Sequence, residues 1–218
     1  LFPSAGNDTL NGGTGADTAI YDASAQVLTN GITINNTAAA IGSVAAQTTD
    51  KRGFGTDILI GMENFHGTNF NDQIYLGATE DGSYTIDRAG DDLVVAFQGP
   101  TDEGNFFVAG QGNDTYVGGQ STGDFLFYGN TDIPPTKGVQ VAFTVAGSGT
   151  AADAWGYTDT FSGIESVQGT AFADSFVGDE TRQRFTGGAG NDTFDGGAGD
   201  RDQVRYDREQ SGGSFQGV

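Results

Sequence analysis

The sequence predicts an all-β chain assembled from a short repeat, and three observations carry that expectation. The nine-residue pattern G-G-x-G-x-D-x-U-x, with U apolar, recurs along it. Glycine supplies 37 of the 218 residues, with only 4 prolines and no every-third-residue spacing, so the glycines serve turns rather than a collagen helix. Nothing reads as a long amphipathic helix. Within each copy, G-G-x-G-x-D makes a tight turn where glycine permits positive φ and close backbone approach. Carbonyl oxygens and one carboxylate then converge on a cavity. The remaining x-U-x makes a short strand whose one apolar side chain points inward.

The clearest tandem runs from Gly187 through Gly190, Asp192 and Phe194, and continues from Gly196 through Gly199, Asp202 and Val204 with one extra residue. A second runs from Ala109 through Gly110, Gly112, Asp114 and Tyr116, then from Gly118 to Asp124 and Leu126. A third opens the chain, where Asp8 and Asp17 sit nine apart. Weaker copies extend these in frame: Gly169 to Val177 carries Asp174 and Phe176, Gly178 to Thr186 keeps Phe185 but has Gln183 for its acid, and Gly67 to Tyr75 carries Asp72 and Ile74. Asp87 to Val95 carries Asp92 and Val94, and Pro100 to Val108 carries Asn105 and Phe107. The register is poorest over 78–86.

A longer period wraps the short one. Thr56-Asp57-Ile58-Leu59-Ile60-Gly61-Met62-Glu63 aligns at an offset of 102 with Thr158-Asp159-Thr160-Phe161-Ser162-Gly163-Ile164-Glu165. The unit is about 105 residues, and each is preceded by strands and a loop, with the alternation of Val139, Val141 and Phe143 marking a half-buried strand. The expected organisation is repeats over 1–30, a strand-and-loop insertion over 31–66, repeats over 67–130, an insertion over 131–168, repeats over 169–207, and the start of a further truncated unit over 208–218. The frame opens partway through a turn at Pro3, so the chain is expected to be a piece of a longer repetitive protein, in which Asp8 and Asp17 have lost their stacking partners.

Charge narrows the chemistry. Nine Lys+Arg against 29 Asp+Glu give a net charge of −20 and a pI near 4.1, which makes nucleic acid an improbable partner. With no cysteine there are no disulfides, thiolate metal sites or cysteine nucleophile, and a lone His66 removes most imidazole chemistry. No apolar run reaches the roughly 18 residues of a transmembrane segment. Divalent cations are the obvious means of holding such an anionic chain together.

The repeats resemble the calcium-binding nonapeptides of the repeats-in-toxin (RTX) family of secreted bacterial proteins, with highest specificity over 109–126 and 187–204. The resemblance implies a parallel β-roll in which two nonapeptides complete a coil, so that loops n and n+2 stack and share a Ca²⁺ ion, with several ions in all. The implied metal positions are Asp8, Asp17, Asp72, Asp92, Asp114, Asp124, Asp174, Asp192 and Asp202, with the turn glycines Gly110, Gly112, Gly118, Gly187, Gly190, Gly196 and Gly199. Stacking pairs Asp92 with Asp114, Asp174 with Asp192, Asn105 with Asp124 and Gln183 with Asp202, and sets Asp72 on the Asp92 loop. The resemblance further implies a chain unfolded in low calcium, exported by a type I system and folded outside the cell or on its surface.

No catalytic set is evident: there is no nucleophile elbow, phosphate loop or zinc-protease motif, and Glu63 and Glu165 are equivalent by repetition and expected to hydrogen-bond a loop or assist calcium. The Asn-Asp-Thr sequons fall inside the turns. Trp155, Tyr157 and Phe54 are expected to anchor loops rather than stack on sugars. Two functions stay open: a structural or adhesive segment of a surface, matrix or adhesin protein that self-associates, and a calcium-dependent polysaccharide-binding module of a carbohydrate-active enzyme. A strip of arginines and aromatics would favour the second, and Arg182, Arg184, Arg201, Arg205 and Arg208 crowd the C-terminal end.

Overall fold

A computed structural model describes residues 1–21, 28–77, 82–97, 103–130 and 132–206. The expected unit over 208–218 lies outside them. The chain forms β1 (Thr9–Asn11), β2 (Thr18–Ile20), β3 (Thr33–Asn35), β4 (Thr48–Asp50), β5 (Thr56–Ile60), β6 (Asn64–His66), β7 (Gln73–Leu76), β8 (Tyr84–Ile86), β9 (Leu93–Ala96) and β10 (Phe106–Val108). It continues through β11 (Thr115–Val117), β12 (Phe125–Phe127), β13 (Gln140–Val145), β14 (Ser148–Ala152), β15 (Thr158–Ser162), β16 (Ser166–Gln168), β17 (Ser175–Val177), β18 (Arg184–Thr186), β19 (Thr193–Asp195) and β20 (Gln203–Arg205). No helix is present among the described residues, so none is long and apolar enough to cross a membrane.

The strands form two sheets that face each other across a thin core. A 12-stranded sheet has the order β1-β5-β4-β3-β7-β9-β11-β15-β14-β13-β17-β19, and an 8-stranded sheet has the order β2-β6-β8-β10-β12-β16-β18-β20. Through the repeats the chain alternates between sheets, so each strand pairs in parallel with the strand two positions away, as β9 does with β11 and β10 with β12. This is a parallel β-roll.

Register stacks one inward residue per strand. In the smaller sheet the column is Ala19, Phe65, Thr85, Phe107, Leu126, Val167, Phe185 and Val204. In the larger sheet Ile34, Ile74, Val94, Tyr116 and Phe161 stand in line, and Val141, Phe176 and Phe194 follow. Most of these side chains are fully buried, and Phe176 stacks on Phe194 with ring centroids 5.2 Å apart. Burial of each such side chain contributes about 1.5–3 kcal/mol, yet the core is only two side chains thick. Thr85 explains the poor register over 78–86: a small hydroxyl residue takes the inward place on β8 without breaking the column.

The insertions interrupt the parallel pairing of the larger sheet without breaking the order of either sheet. The chain leaves β12, crosses to the larger sheet as β13 beside β17, returns antiparallel as β14, and turns again into β15 beside β11 before rejoining the smaller sheet at β16. β3, β4 and β5 make the same three-strand excursion between β2 and β6. Each therefore adds two strands to one sheet alone.

Candidate metal centre

Each turn delivers its position-six side chain to the row beside it. On the edge leading into the larger sheet, the N–H of Asp72 donates to Asp92 Oδ1 at 2.6 Å, that of Asp92 to Asp114 Oδ1 at 2.8 Å, and that of Asp174 to Asp192 Oδ1 at 2.9 Å. On the opposite edge, the N–H of Asn105 donates to Asp124 Oδ1 at 2.8 Å and that of Gln183 to Asp202 Oδ1 at 2.9 Å. The structure thus brings together every stacked pair expected from the repeat frame.

Asp8 and Asp17 are a correction. Neither lacks a stacked neighbour: the N–H of Asp8 donates to Asp57 Oδ1 at 2.9 Å, and that of Asp17 to Glu63 Oε2 at 2.9 Å. The second unit repeats both contacts, from Asp114 to Asp159 Oδ1 at 3.0 Å and from Asp124 to Glu165 Oε2 at 3.1 Å. The excursion strands bring their own acids to the place where a nonapeptide would bring position six. Asp57 and Asp159 were visible in the 102-residue alignment; Gly53-Phe54-Gly55-Thr56-Asp57-Ile58-Leu59 keeps the G-x-G-x-D-x-U part of the nonapeptide, whereas Asp159 is preceded by Gly156 alone.

The seven turn glycines serve close approach more than positive φ. Of the seven candidates, only Gly112 (φ 154°) and Gly190 (φ 126°) take positive φ. The others are needed for close approach: a Cβ on Gly187 would stand 2.0 Å from Asp192 Oδ2, and one on Gly110 would stand 1.8 Å from the Arg88 carbonyl oxygen.

At the middle of the roll the acids converge. Carboxylate oxygens of Asp87, Asp92 and Asp114 lie within 4.8 Å of one another, and all three residues are buried. Asp87 occupies position one, where the other copies carry glycine, alanine or proline, and sequence reasoning missed it because an acid there looks like loss of the motif. The Tyr116 hydroxyl donates to Asp87 Oδ2, while Asp87 Oδ1 and Asp92 Oδ2 have no hydrogen-bond partner. Burial above all, then Asp87 and Asp72 nearby, pushes Asp92 up to about 11. Burial likewise raises Asp114 to about 7 and Asp159 to about 8, with neighbouring aspartates adding to it. Buried carboxylates this close require a cation or protons. Oxygen donors without nitrogen or sulfur suit a hard divalent ion such as calcium.

The profile of the RTX calcium-binding nonapeptide repeat matches four copies, over residues 4–21, 102–122 and 168–201. The chain carries RTX repeats. No curated protein matches it. The RTX match covers the stacks of Asp114, Asp174 and Asp192, while rows of the same roll lie at 67–77 and 82–97, where Asp72, Asp87 and Asp92 are outside the matched segments. RTX nonapeptides are calcium-binding motifs, so Ca²⁺ is the ion this donor set fits; the orphaned oxygens of Asp87 and Asp92 are where the fit is most evident.

Proposed function

We propose that this chain is a calcium-dependent structural segment of a secreted bacterial surface, matrix or adhesin protein, folding when it meets extracellular calcium. The observation that supports this most is the ladder of buried carboxylates joined from row to row, with oxygens left unpartnered inside it. Asp72, Asp92, Asp114, Asp174 and Asp192 on one edge, and Asp17, Asp124 and Asp202 on the other, would hold the ions, with backbone carbonyls of the glycine turns completing the donor set. Bound calcium supplies the positive charge that lets these carboxylates be buried side by side. Without it their repulsion outweighs a core two side chains thick, so folding and metal binding are coupled.

The outer faces favour a structural role over polysaccharide binding. Tyr84, Phe106 and Phe125 form a ladder on the smaller sheet with centroids 5.3 and 4.7 Å apart, stacked on one another. Their faces are turned to each other and only edges remain for a ligand, so the ladder reinforces cross-strand packing. Arg184 and Arg205 lie on adjacent strands of that sheet, opposite Gln203 and Thr186, and Arg201 reaches 3.5 Å to the exposed Asp200; Arg208 lies outside the described residues. The Trp155 indole donates to the Pro134 carbonyl at 3.1 Å and anchors its loop.

Sedimentation velocity across a calcium titration tests the reading. Compaction at millimolar calcium followed by self-association supports the structural role. A compact monomer that binds polysaccharide would favour an accessory module, and no change in sedimentation would remove the calcium-coupled reading.

A further inference from the structure

The repeat calls for one acid in each turn, at position six, and the turn over 87–92 adds another at position one. Asp87 and Asp92 are both buried, no more than 3% exposed, whereas the intervening Asp91 is exposed and accepts the N–H and side-chain amide of Asn113 at 2.8 and 3.1 Å. Asp87, Asp92 and Asp114 are, among the described residues, the group of acids in which a carboxylate oxygen of each lies within 4.8 Å of the others.

The oxygens of these acids are unequally satisfied. Asp87 Oδ2 accepts the Tyr116 hydroxyl, which also lies 3.3 Å from Asp114 Oδ2, while Asp87 Oδ1 has no hydrogen-bond partner. Asp92 divides in the same way: Oδ1 accepts the N–H of Asp72 at 2.6 Å, and Oδ2 has no partner. Buried carboxylate oxygens without a donor are costly, and two of them in one group of three acids call for a cation. Elsewhere on this edge the chain supplies the donors itself. Thr170, at position two, donates its N–H to Asp174 Oδ2 at 2.8 Å and its hydroxyl to Oδ1 at 3.0 Å, and the Val139 N–H adds a bond at 2.7 Å. Thr68 and Ile32 do the same for Asp72. The turn over 87–92 has Arg88 at position two, which carries no hydroxyl. Arg88 nevertheless takes φ 80°, as Gly188 takes φ 99° at position two of the Asp192 turn, so the backbone keeps the shape of a glycine turn.

Resting on the calcium reading above, we propose that Asp87 is a metal ligand outside the repeat pattern, and that with Asp92 and Asp114 it forms a three-carboxylate site for a calcium-type divalent cation that fills before the other turns. The Tyr116 hydroxyl holds one oxygen of Asp87 and leaves the other to the ion. Affinity for such a hard cation rises with the number of carboxylates and with the rigidity of the site. The Asp174–Asp192 stack brings two carboxylates, one of them already partnered by threonine. The rows between the two excursions are therefore loaded ahead of those toward either end.

Anomalous diffraction from crystals of the whole chain equilibrated at limiting calcium locates the ion. The expected map has its strongest peak among Asp87, Asp92 and Asp114, with an Asp87 oxygen at the roughly 2.3–2.6 Å of a calcium–oxygen bond. Peaks at other turns without one bonded to Asp87 overturn this inference and leave the calcium reading standing; a bonded peak weaker than those at other turns overturns the filling order; no peak at any turn overturns both readings. In solution, Asp87→Asn keeps an acceptor for Tyr116 and removes the charge, and calorimetric calcium titration should show the tightest site weakened by about tenfold or more. Asp87→Gly, which sets at position one the residue that Gly169 and Gly187 supply in their turns, serves as the second variant and should weaken the same site. An unchanged tightest site in either folded variant overturns the proposal.

Discussion

The main-chain N–H of Asp92 donates to the side chain of Asp114, 22 residues later in sequence and one row away in space, at 2.8 Å. The bond fixes row spacing and brings two buried carboxylates together. What the ladder gives in backbone satisfaction it exacts in charge repulsion, and the proposed metal dependence rests on that balance.

Replacing both Asp114 and Asp192 by Asn removes charge from two stacks while keeping shape. Each lost charge-assisted interaction is worth about 1.5–3 kcal/mol, so the calcium midpoint for folding should rise by about tenfold or more. Circular dichroism against free calcium checks this, and an unmoved midpoint contradicts the stacking.

Chelation at neutral pH should abolish the β signal. Full retention of structure in excess chelator would show that the core alone suffices.

Acidification should partly substitute for metal. Asp114 is held up to about 7 and Asp159 to about 8, chiefly by burial. A carboxyl whose folded pKa exceeds its unfolded value adds stability that is complete below the unfolded value near 4 and is lost as pH rises through the folded one. In chelator, lowering the pH from about 8 to about 5 should therefore restore β signal. With calcium present, the same change should raise the concentration needed, because protons compete for the ligands.

Phe107→Ala opens a cavity in the inward column and should cost about 3–5 kcal/mol. Phe106→Ala, one residue away on the outer ladder, should cost far less, about 0.5–1.5 kcal/mol beyond its lost burial. Thermal unfolding in saturating calcium separates them; equal losses would mean that Phe107 does not carry the core.

The alternation between sheets was legible because one apolar residue in nine can face only inward, and position six was legible because glycine marks its turn. Asp159 was not, since only Gly156 stands in its turn, while the Gly53-Phe54-Gly55-Thr56-Asp57 signature was there to be read and was passed over as part of an insertion. Lys51 reads as an ordinary solvated lysine in sequence; only the register that carries it across to Ser4 and Asp57 reveals a buried ammonium. The three-strand excursions were read as insertions because parallel rows leave a periodic trace and a reversal does not.

The unequal sheets have a geometric outcome. Twelve strands face eight, and at about 4.8 Å per strand the four additional spacings make one face about 19 Å longer than the other. Two hydrogen-bonded faces of different length, fastened together along a common core, take up the difference as curvature, with the longer face outermost. Because the excess arrives as two strands per unit and always on the same face, every unit turns the axis in the same sense. Successive units of about 105 residues would trace an arc rather than a rod, its radius set by how often the reversal recurs.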